Sequence, residues 1–127
     1  MIVLDASVLI AHLDERDALH DRAEVALTRA AARSLAASPL TVAEVLVGPA
    51  RAGRADDAVG VLRALGVSEV PLPQDGSTRL AELRARTGLK LPGCCVLLAA
   101  EAAPADAVLT FDDRLQAEAT RRGFGIA

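Results

Sequence analysis

Aromatic residues are almost missing from this chain, because its 127 residues include two phenylalanines and no tryptophan or tyrosine. A protein that holds single-stranded nucleic acid mainly by stacking its bases needs several aromatic side chains, so this type of binding surface is excluded. Hydrophobic residues nevertheless make up 52% of the sequence, which is too many for a disordered protein. The core must therefore be built from Ala, Val, Leu and Ile.

An excess of positive charge is also lacking, because 14 Lys and Arg residues stand against 17 Asp and Glu residues and the formal net charge is −3. Proteins that coat nucleic acid are basic, so any contact with nucleic acid must be local. No apolar run reaches the roughly 18 residues that a membrane helix needs without a breaker or a charge. No basic segment precedes the apolar residues after Met1, as a signal peptide would require. We therefore expect a soluble cytoplasmic protein that does not contact membranes.

Several sequence motifs are missing as well. There is no GxGxxG, GxxxxGK[ST] or GxSxG pattern, so nothing favours a nucleotide-binding loop or a serine hydrolase. The two cysteines, Cys94 and Cys95, are adjacent and lack the spacing of a zinc site. We expect both to be buried as small hydrophobic residues. His12 and His20 have no matched partner, and we expect them at the surface or at an interface.

Short apolar runs alternate along the chain with segments of helical periodicity. The usual result of such alternation is a parallel sheet covered by helices on both faces. We predict one domain over residues 1–127, an α/β protein in the form of a three-layer α/β/α sandwich with a central parallel sheet. The predicted strands are 1–5, 34–38, 67–72, 107–113 and 124–127, and the predicted helices are 6–15, 17–32, 39–48, 56–65, 77–87, 91–103 and 114–122.

Local patterns add expectations about individual helices. In the helix that follows the first strand, Val8, Ile10 and Leu13 should lie near one apolar face. The helix that begins at Pro39 should be capped by Thr41, and Pro49 should disturb its end. The helix over 91–103 is apolar on almost all sides, which is typical of a central helix.

Four carboxylates stand where the strand ends of such a sheet would bring them together. Asp5 follows the first strand, Asp112 and Asp113 follow the fourth, and Glu44 lies near the first turn of its helix. Ligands of open α/β sheets bind outside the carboxyl ends of the strands. Clustered carboxylates repel one another when they are ionised, and each raises the pKa of its neighbours. A hard divalent cation such as Mg²⁺ or Mn²⁺ removes this repulsion. Such an ion can polarise a phosphodiester and lower the pKa of bound water, so the acids favour metal-dependent hydrolysis.

The same residues have a structural interpretation, which stays open at this point. An Asp that follows a strand is often only the N-cap of the next helix, and Asp112 fits that role well. Ser7 fits the role of a cap equally. The positions of the acids indicate a site, while their spacing alone does not establish one.

Four segments together resemble the PIN domain, and within it the VapC toxins of bacterial toxin–antitoxin pairs. They are MIVLDASVLIA, SPLTVAEVLVG, LPGCCVLLAAE and AVLTFDDRL, which occur in the order of the family. The resemblance extends from Met1 to about Ala127. It implies an endoribonuclease that depends on Mg²⁺ or Mn²⁺ and cuts cellular RNA, such as transfer or ribosomal RNA. It also implies a homodimer and a VapB-type antitoxin, whose C-terminal segment lies across the active-site groove.

The resemblance also assigns roles to individual residues. The first acid of the family corresponds to Asp5, the second to Glu44 and the fourth to Asp112, and these are the catalytic residues that the resemblance implies. Of these, Asp5 and Asp112 are the implied metal ligands. The supporting residues that it implies are Ser7, Thr110 and Asp113.

The third acid of the family is missing, and its position in LPGCCVLLAA is occupied by Gly93. Aspartate there would both cap the helix and complement its dipole, so glycine has little to favour it structurally. Losing a metal ligand should reduce activity by more than the roughly 10- to 100-fold seen for residues that only support the ligands. Three explanations remain open. The chain is a natural variant in which water or Asp113 replaces the ligand, a natural inactive paralogue, or the product of an inactivating change favoured in a host that makes a growth-stopping ribonuclease.

Three functions are therefore compatible with the sequence. The first is a metal-dependent endoribonuclease toxin, impaired in this chain by Gly93. The second is a catalytically dead binding module that engages an antitoxin and contributes to repression of its own operon. The third is a phosphatase or small-molecule hydrolase that uses the same acids, which the absence of a phosphate-cradling loop disfavours.

Overall fold

Five short strands form one sheet in the structure, a computed structural model that describes residues 1–127. They are β1 (Ile2–Leu4), β2 (Leu35–Ala37), β3 (Val67–Glu69), β4 (Ala107–Leu109) and β5 (Gly125–Ile126). Their order across the sheet is β3-β2-β1-β4-β5, and all neighbouring strands are parallel. β1 therefore lies at the centre, with β2 on one side and β4 on the other, and the predicted parallel sheet is confirmed.

Seven helices connect or follow these strands. They are α1 (Ala6–Leu13), α2 (His20–Ala30), α3 (Pro39–Arg51), α4 (Ala55–Ala64), α5 (Gly76–Thr87), α6 (Leu91–Ala102) and α7 (Asp113–Arg121). Each predicted helix is present, with ends that differ from the prediction by a few residues. None of the helices is both long and apolar enough to span a membrane.

The two faces of the sheet carry different halves of the core, because successive side chains of a strand point to opposite faces. One half joins Ile2, Leu4, Leu35 and Leu109 to buried residues of α1, α2, α3 and α4. The other half joins Val3, Ala36 and Val108 to buried residues of α5, α6 and α7. The predicted three-layer α/β/α sandwich is thus confirmed.

The most deeply buried helix is α6, in which every residue from Cys94 to Ala100 is buried. This confirms the prediction of a central helix. Cys94 and Cys95 form no disulfide, and burial raises the pKa of both thiols. Both cysteines therefore act as small buried hydrophobic residues, as expected.

The expectation for Ile10 was wrong, because its side chain is 41% exposed. The buried residues of α1 are Ala6, Val8, Leu9 and Ala11, and Ile10 instead lines a groove between α1, α3 and α4.

Two expectations about α3 were also wrong. The cap is Ser38, whose Oγ accepts a hydrogen bond from the backbone N–H of Leu40 at 3.3 Å, while Thr41 is buried inside the first turn. The helix also continues through Pro49 to Arg51. A proline so close to the end removes only one backbone hydrogen bond, and the last turn forms despite it.

Candidate active site

The site lies where β1 and β4 end side by side. Leu4 and Leu109 pair in register, and the backbone N–H of Asp5 donates to the carbonyl of Leu109 at 2.9 Å. From β1 the sheet extends through β2 on one side and through β4 on the other. Open α/β sheets bind their ligands at this kind of switch point, beyond the carboxyl ends of the strands.

Asp5 occupies the N-cap position of α1, but its side chain makes no capping hydrogen bond. Its Oδ2 atom instead accepts two hydrogen bonds, from Ser7 Oγ and from Thr110 Oγ1, each at 2.7 Å. Oδ1 accepts none. The structural interpretation of Asp5 as an ordinary cap therefore does not apply, since the carboxylate is oriented by hydroxyls and keeps one oxygen free.

The two hydroxyls are themselves held in place by the loop that follows β4. The backbone N–H of Phe111 donates to Ser7 Oγ at 3.1 Å, and the backbone N–H of Asp112 donates to Thr110 Oγ1 at 3.0 Å. Because each hydroxyl oxygen accepts from the backbone, its single proton is directed at Asp5. Ser7 is thus not a helix cap, and it joins α1 to the loop after β4.

Glu44 extends from α3 toward the same carboxylate and is half-buried. Burial raises the pKa of Glu44, and the negative charge of Asp5 raises it further. The structure therefore brings Asp5 and Glu44 close enough for their charges to repel each other. A positive charge placed between them would relieve that repulsion.

Asp112 caps α7, as the structural interpretation predicts. Its Oδ1 accepts hydrogen bonds from the backbone N–H groups of Arg114 and Leu115, at 2.9 and 3.0 Å. Its Oδ2 accepts none, so one oxygen is left for another role. Asp113, the first residue of α7, is exposed and its side chain forms neither a hydrogen bond nor an ion pair.

A family model of the PIN domain matches residues 2–120 of the sequence. The chain belongs to the PIN domain family. The family resemblance found in the sequence is thus confirmed over nearly the whole chain. No curated protein matches the sequence.

Two solved structures have the same PIN fold as this chain. One is a "Toxin-antitoxin complex from Klebsiella pneumoniae", with a TM-score of 0.72 and 25% sequence identity, over 88% of this chain and 87% of that chain. The other is VapC20 of Mycobacterium tuberculosis, a toxin that cleaves the sarcin-ricin loop. It has a TM-score of 0.74 and 18% identity, over 98% of this chain and 97% of that chain.

Within this PIN domain, Gly93 is the third residue of α6, a helix whose first turn contains no acidic residue. A Cβ atom on Gly93 would lie 3.7 Å from Cβ of Leu89, an ordinary van der Waals contact. Its backbone is not left-handed either, so neither conformation nor packing requires glycine. α6 packs against α3, the helix that carries Glu44.

The side chains at this site are of the type that binds a divalent cation, but too few of them lie together. Asp5 and Glu44 supply hard carboxylate oxygens in mutual repulsion, which Mg²⁺ or Mn²⁺ would relieve. The structure nevertheless contains no group of three or more His, Cys, Asp or Glu side chains that could hold a metal ion. Asp112 therefore does not complete such a group with Asp5 and Glu44, and position 93 adds no carboxylate.

A groove of about 770 Å³ begins at Glu44 and runs between α1, α3 and α4. Its apolar part is lined by Ile10, Leu13, Val45, Pro49 and Val61. Charged residues line the rest, among them Arg16, Arg54 and Asp57. The groove thus joins an apolar surface to the candidate site at Glu44.

Two side chains beside the site were not predicted from the sequence. Ser38 is fully buried and caps α3, and Arg22 of α2 stacks on the ring of Phe111. The SPLT segment contained a signal for Ser38, since Ser before Pro is a favourable helix start. No pattern along the chain could have paired Arg22 with Phe111, because tertiary packing alone brings α2 to the loop after β4.

Proposed function

We propose that this PIN domain is the toxin of a type II toxin–antitoxin pair, an endoribonuclease that hydrolyses cellular RNA with Mg²⁺ or Mn²⁺. The observation that carries the proposal is the carboxylate of Asp5, which two hydroxyls orient at the switch point of the sheet while one of its oxygens stays free. The similar structures support it, since one is a toxin–antitoxin complex and the other is a toxin that cleaves the sarcin-ricin loop.

In this proposal the catalytic residues are Asp5, Glu44 and Asp112. Asp5 would hold the metal ion through Oδ1, because Oδ2 is occupied by the Ser7 and Thr110 hydroxyls. Those hydrogen bonds fix the orientation of the Asp5 carboxylate. The family resemblance implies Asp112 as the other ligand, and its Oδ2, which does not cap α7, is the oxygen available for that role, although the structure does not group it with Asp5 and Glu44. When bound, the ion would lower the pKa of a water molecule and stabilise the leaving oxygen of the phosphodiester.

Glu44 has the features of a proton acceptor. Burial and the charge of Asp5 raise its pKa, which makes it a better base than an exposed carboxylate. It would accept the proton of the attacking water. Asp113 is exposed and unpaired next to Asp112, and we propose that it supports the metal site.

We further propose that Gly93 impairs this chain as a nuclease. The geometry of α6 accepts a Cβ at position 93, so the missing carboxylate is not a requirement of the fold. A site with fewer carboxylates binds a divalent cation more weakly.

The proposed partners are a VapB-type antitoxin, an RNA substrate and a second copy of the chain, all in the cytoplasm. An extended antitoxin segment in the groove between α1, α3 and α4 would cover its apolar lining and pass Glu44. Such a segment would block RNA from the carboxylates. The Klebsiella complex supports the existence of an antitoxin partner.

One observation favours a second function, a catalytically dead module that binds an antitoxin and helps repress its operon. No group of three ligating side chains is present, and the first turn of α6 lacks an acid. A protein with this incomplete site would still keep the groove and the fold that an antitoxin recognises.

The deciding experiment compares the chain with its Gly93→Asp variant, each freed of antitoxin. Total RNA is incubated with Mg²⁺ or Mn²⁺, with EDTA as the metal control and Gly93→Asp/Asp5→Asn as the catalytic control. We expect Gly93→Asp to cut RNA more than about 100-fold faster than the original chain, because a direct ligand contributes more than the residues that support it. We expect EDTA or Asp5→Asn to abolish cleavage.

Other outcomes separate the alternatives. Equal cleavage by both forms would mean that Asp113 or water replaces the missing ligand. Cleavage by neither form, together with tight antitoxin binding, would contradict the nuclease proposal in favour of the binding module. Release of phosphate from small esters with intact RNA would indicate a phosphatase instead.

A further inference from the structure

Arg22 places an uncompensated positive charge beside the carboxylates. Its Cζ atom lies 4.5 Å from the centre of the Phe111 ring. Phe111 stands between Thr110 and Asp112, and its backbone N–H donates to Ser7 Oγ. The aromatic ring that carries Arg22 therefore belongs to the same short loop that orients Asp5.

The guanidinium of Arg22 has no other partner. Arg22 is exposed, forms no ion pair within 4 Å and makes no side-chain hydrogen bond. Some arginines of the chain form ion pairs, such as Arg54 with Asp57 and Arg79 with Glu101, and others, such as Arg29, form none. Arg22 combines the lack of an ion pair with a stacking contact to the loop after β4. Stacking uses the face of a guanidinium and leaves the donors in its plane free. Arg22 is thus held in position with its hydrogen-bond donors unused.

A cation near the acids would reduce the electrostatic repulsion between this site and RNA. The net charge is −3, and the acids at the carboxyl edge of the sheet repel a phosphate backbone. With so few aromatic residues, the chain cannot compensate by stacking several bases. Arginine suits the task because its donors match two phosphate oxygens at once.

We propose that Arg22, held on the ring of Phe111, binds a backbone phosphate of the RNA beside the catalytic carboxylates. This inference rests on the proposed ribonuclease function and adds a residue that positions the substrate. It assigns to α2 a part in RNA binding, while the groove between α1, α3 and α4 remains a separate surface.

Arg29 provides a matched control. It lies two turns further along α2, is exposed and has no ion pair. Seven residues of helix place it about 10 Å from Arg22, toward the segment that leads into the amino end of β2. The substitutions Arg22→Met and Arg29→Met remove the same charge from the same helix, and only the first removes it beside the site.

The test measures binding of a fluorescein-labelled single-stranded RNA of 20 nucleotides by anisotropy, in EDTA, at several KCl concentrations. We expect Arg22→Met to weaken binding about five- to twentyfold at 100 mM salt and to lower the salt slope of log K by about 0.7, the value for one phosphate contact on a single strand. Arg22→Lys should keep the slope, because the charge stays. Arg29→Met should bind as the unsubstituted chain does.

Cleavage kinetics in the Gly93→Asp background provide the second readout. Arg22→Met should raise KM by a similar factor and leave kcat within about twofold, as expected for a group that binds substrate away from the reacting atoms.

A lower Tm with unchanged RNA affinity and salt slope would overturn the inference, since it would assign Arg22 a structural role only. If Gly93→Asp cuts RNA and Arg22→Met changes neither KM nor slope, the inference alone fails. If Gly93→Asp neither binds nor cuts RNA, the proposed function fails, and the inference with it.

Discussion

α6 and α7 begin at the same edge of the sheet, yet their first turns are chemically different. α7 begins with Asp112, whose carboxylate accepts two backbone N–H groups. α6 begins with Lys90, which has the extended conformation of a cap (φ −64°, ψ 156°) but no acceptor in its side chain. Gly93 then adds no acid to the first turn.

The difference reflects what holds each helix in place. Every residue of α6 from Cys94 to Ala100 is buried, so packing stabilises the helix whatever stands at its start. α7 has nine residues, of which Leu115, Glu118 and Ala119 are buried. Short helices depend more on their caps, because few hydrogen bonds offset the entropy of starting them. A helix anchored along its length therefore does not depend on an acid in its first turn, and α6 forms with glycine at position 93.

The largest stability effect should come from removing the cap of α7. We expect Asp112→Ala to lower the free energy of unfolding by about 1–2 kcal/mol, because two backbone N–H groups lose their acceptor. Asp112→Asn should retain most of the stability, since Asn is an equally good N-cap. The measurement is urea denaturation followed by circular dichroism.

Asp113→Ala is the control for Asp112→Ala. It removes a carboxylate from the same turn that accepts no hydrogen bond, so only its favourable interaction with the helix dipole is lost, about 0.5 kcal/mol. If both substitutions lower the free energy of unfolding equally, the hydrogen bonds of the α7 cap add no stability beyond the effect of charge. α7 would then depend on its cap no more than α6 does.

A smaller gain should follow from adding a cap to α6. In Lys90→Ser the new hydroxyl can accept from the backbone N–H of Gly93, while Pro92 has no N–H to offer. We expect the free energy of unfolding to rise by about 0.5–1 kcal/mol, the usual value of an N-cap. Urea denaturation of Lys90→Ser beside Lys90→Ala measures the contribution of the hydroxyl alone. A Lys90→Ser variant no more stable than Lys90→Ala would indicate that packing already satisfies the start of α6.

The smallest effect concerns α2, which has no side-chain cap and begins with a histidine. The hydrogen bond between His20 Nδ1 and the carbonyl of Ala11, at 2.8 Å, raises the pKa of His20, burial lowers it, and the charges of Glu24 and Asp21 raise it. Because the folded pKa is the higher one, the contribution to stability is complete below the unfolded value of about 6.5 and is lost as pH rises through the folded value.

The test compares the unfolding free energies of the original chain and His20→Ala at pH 5.5 and at pH 8.5. We expect the original chain to exceed His20→Ala in unfolding free energy by more at pH 5.5 than at pH 8.5, because His20 is protonated at pH 5.5. An advantage that is equal at both pH values would show that the ring contributes through packing only, and that no charge is involved at the start of α2.

The resemblance to the PIN family marked Gly93 as a departure from its pattern. Hydrophobic periodicity along the chain predicted all five strands and all seven helices, and it placed Asp5 and Asp112 at equivalent strand ends. These features depend on near neighbours in the chain, where the spacing of apolar residues and the chemistry of helix starts act directly.

Only the tertiary structure decided which acids cap helices and which are kept for other roles. Asp5 and Asp112 both stand at N-cap positions, yet Asp112 caps its helix while Asp5 is turned away by the hydroxyls of Ser7 and Thr110. The stacking of Arg22 on Phe111 is likewise a contact between distant parts of the chain. Contacts of this kind depend on the order of strands and the packing of helices over the sheet, which local patterns do not specify.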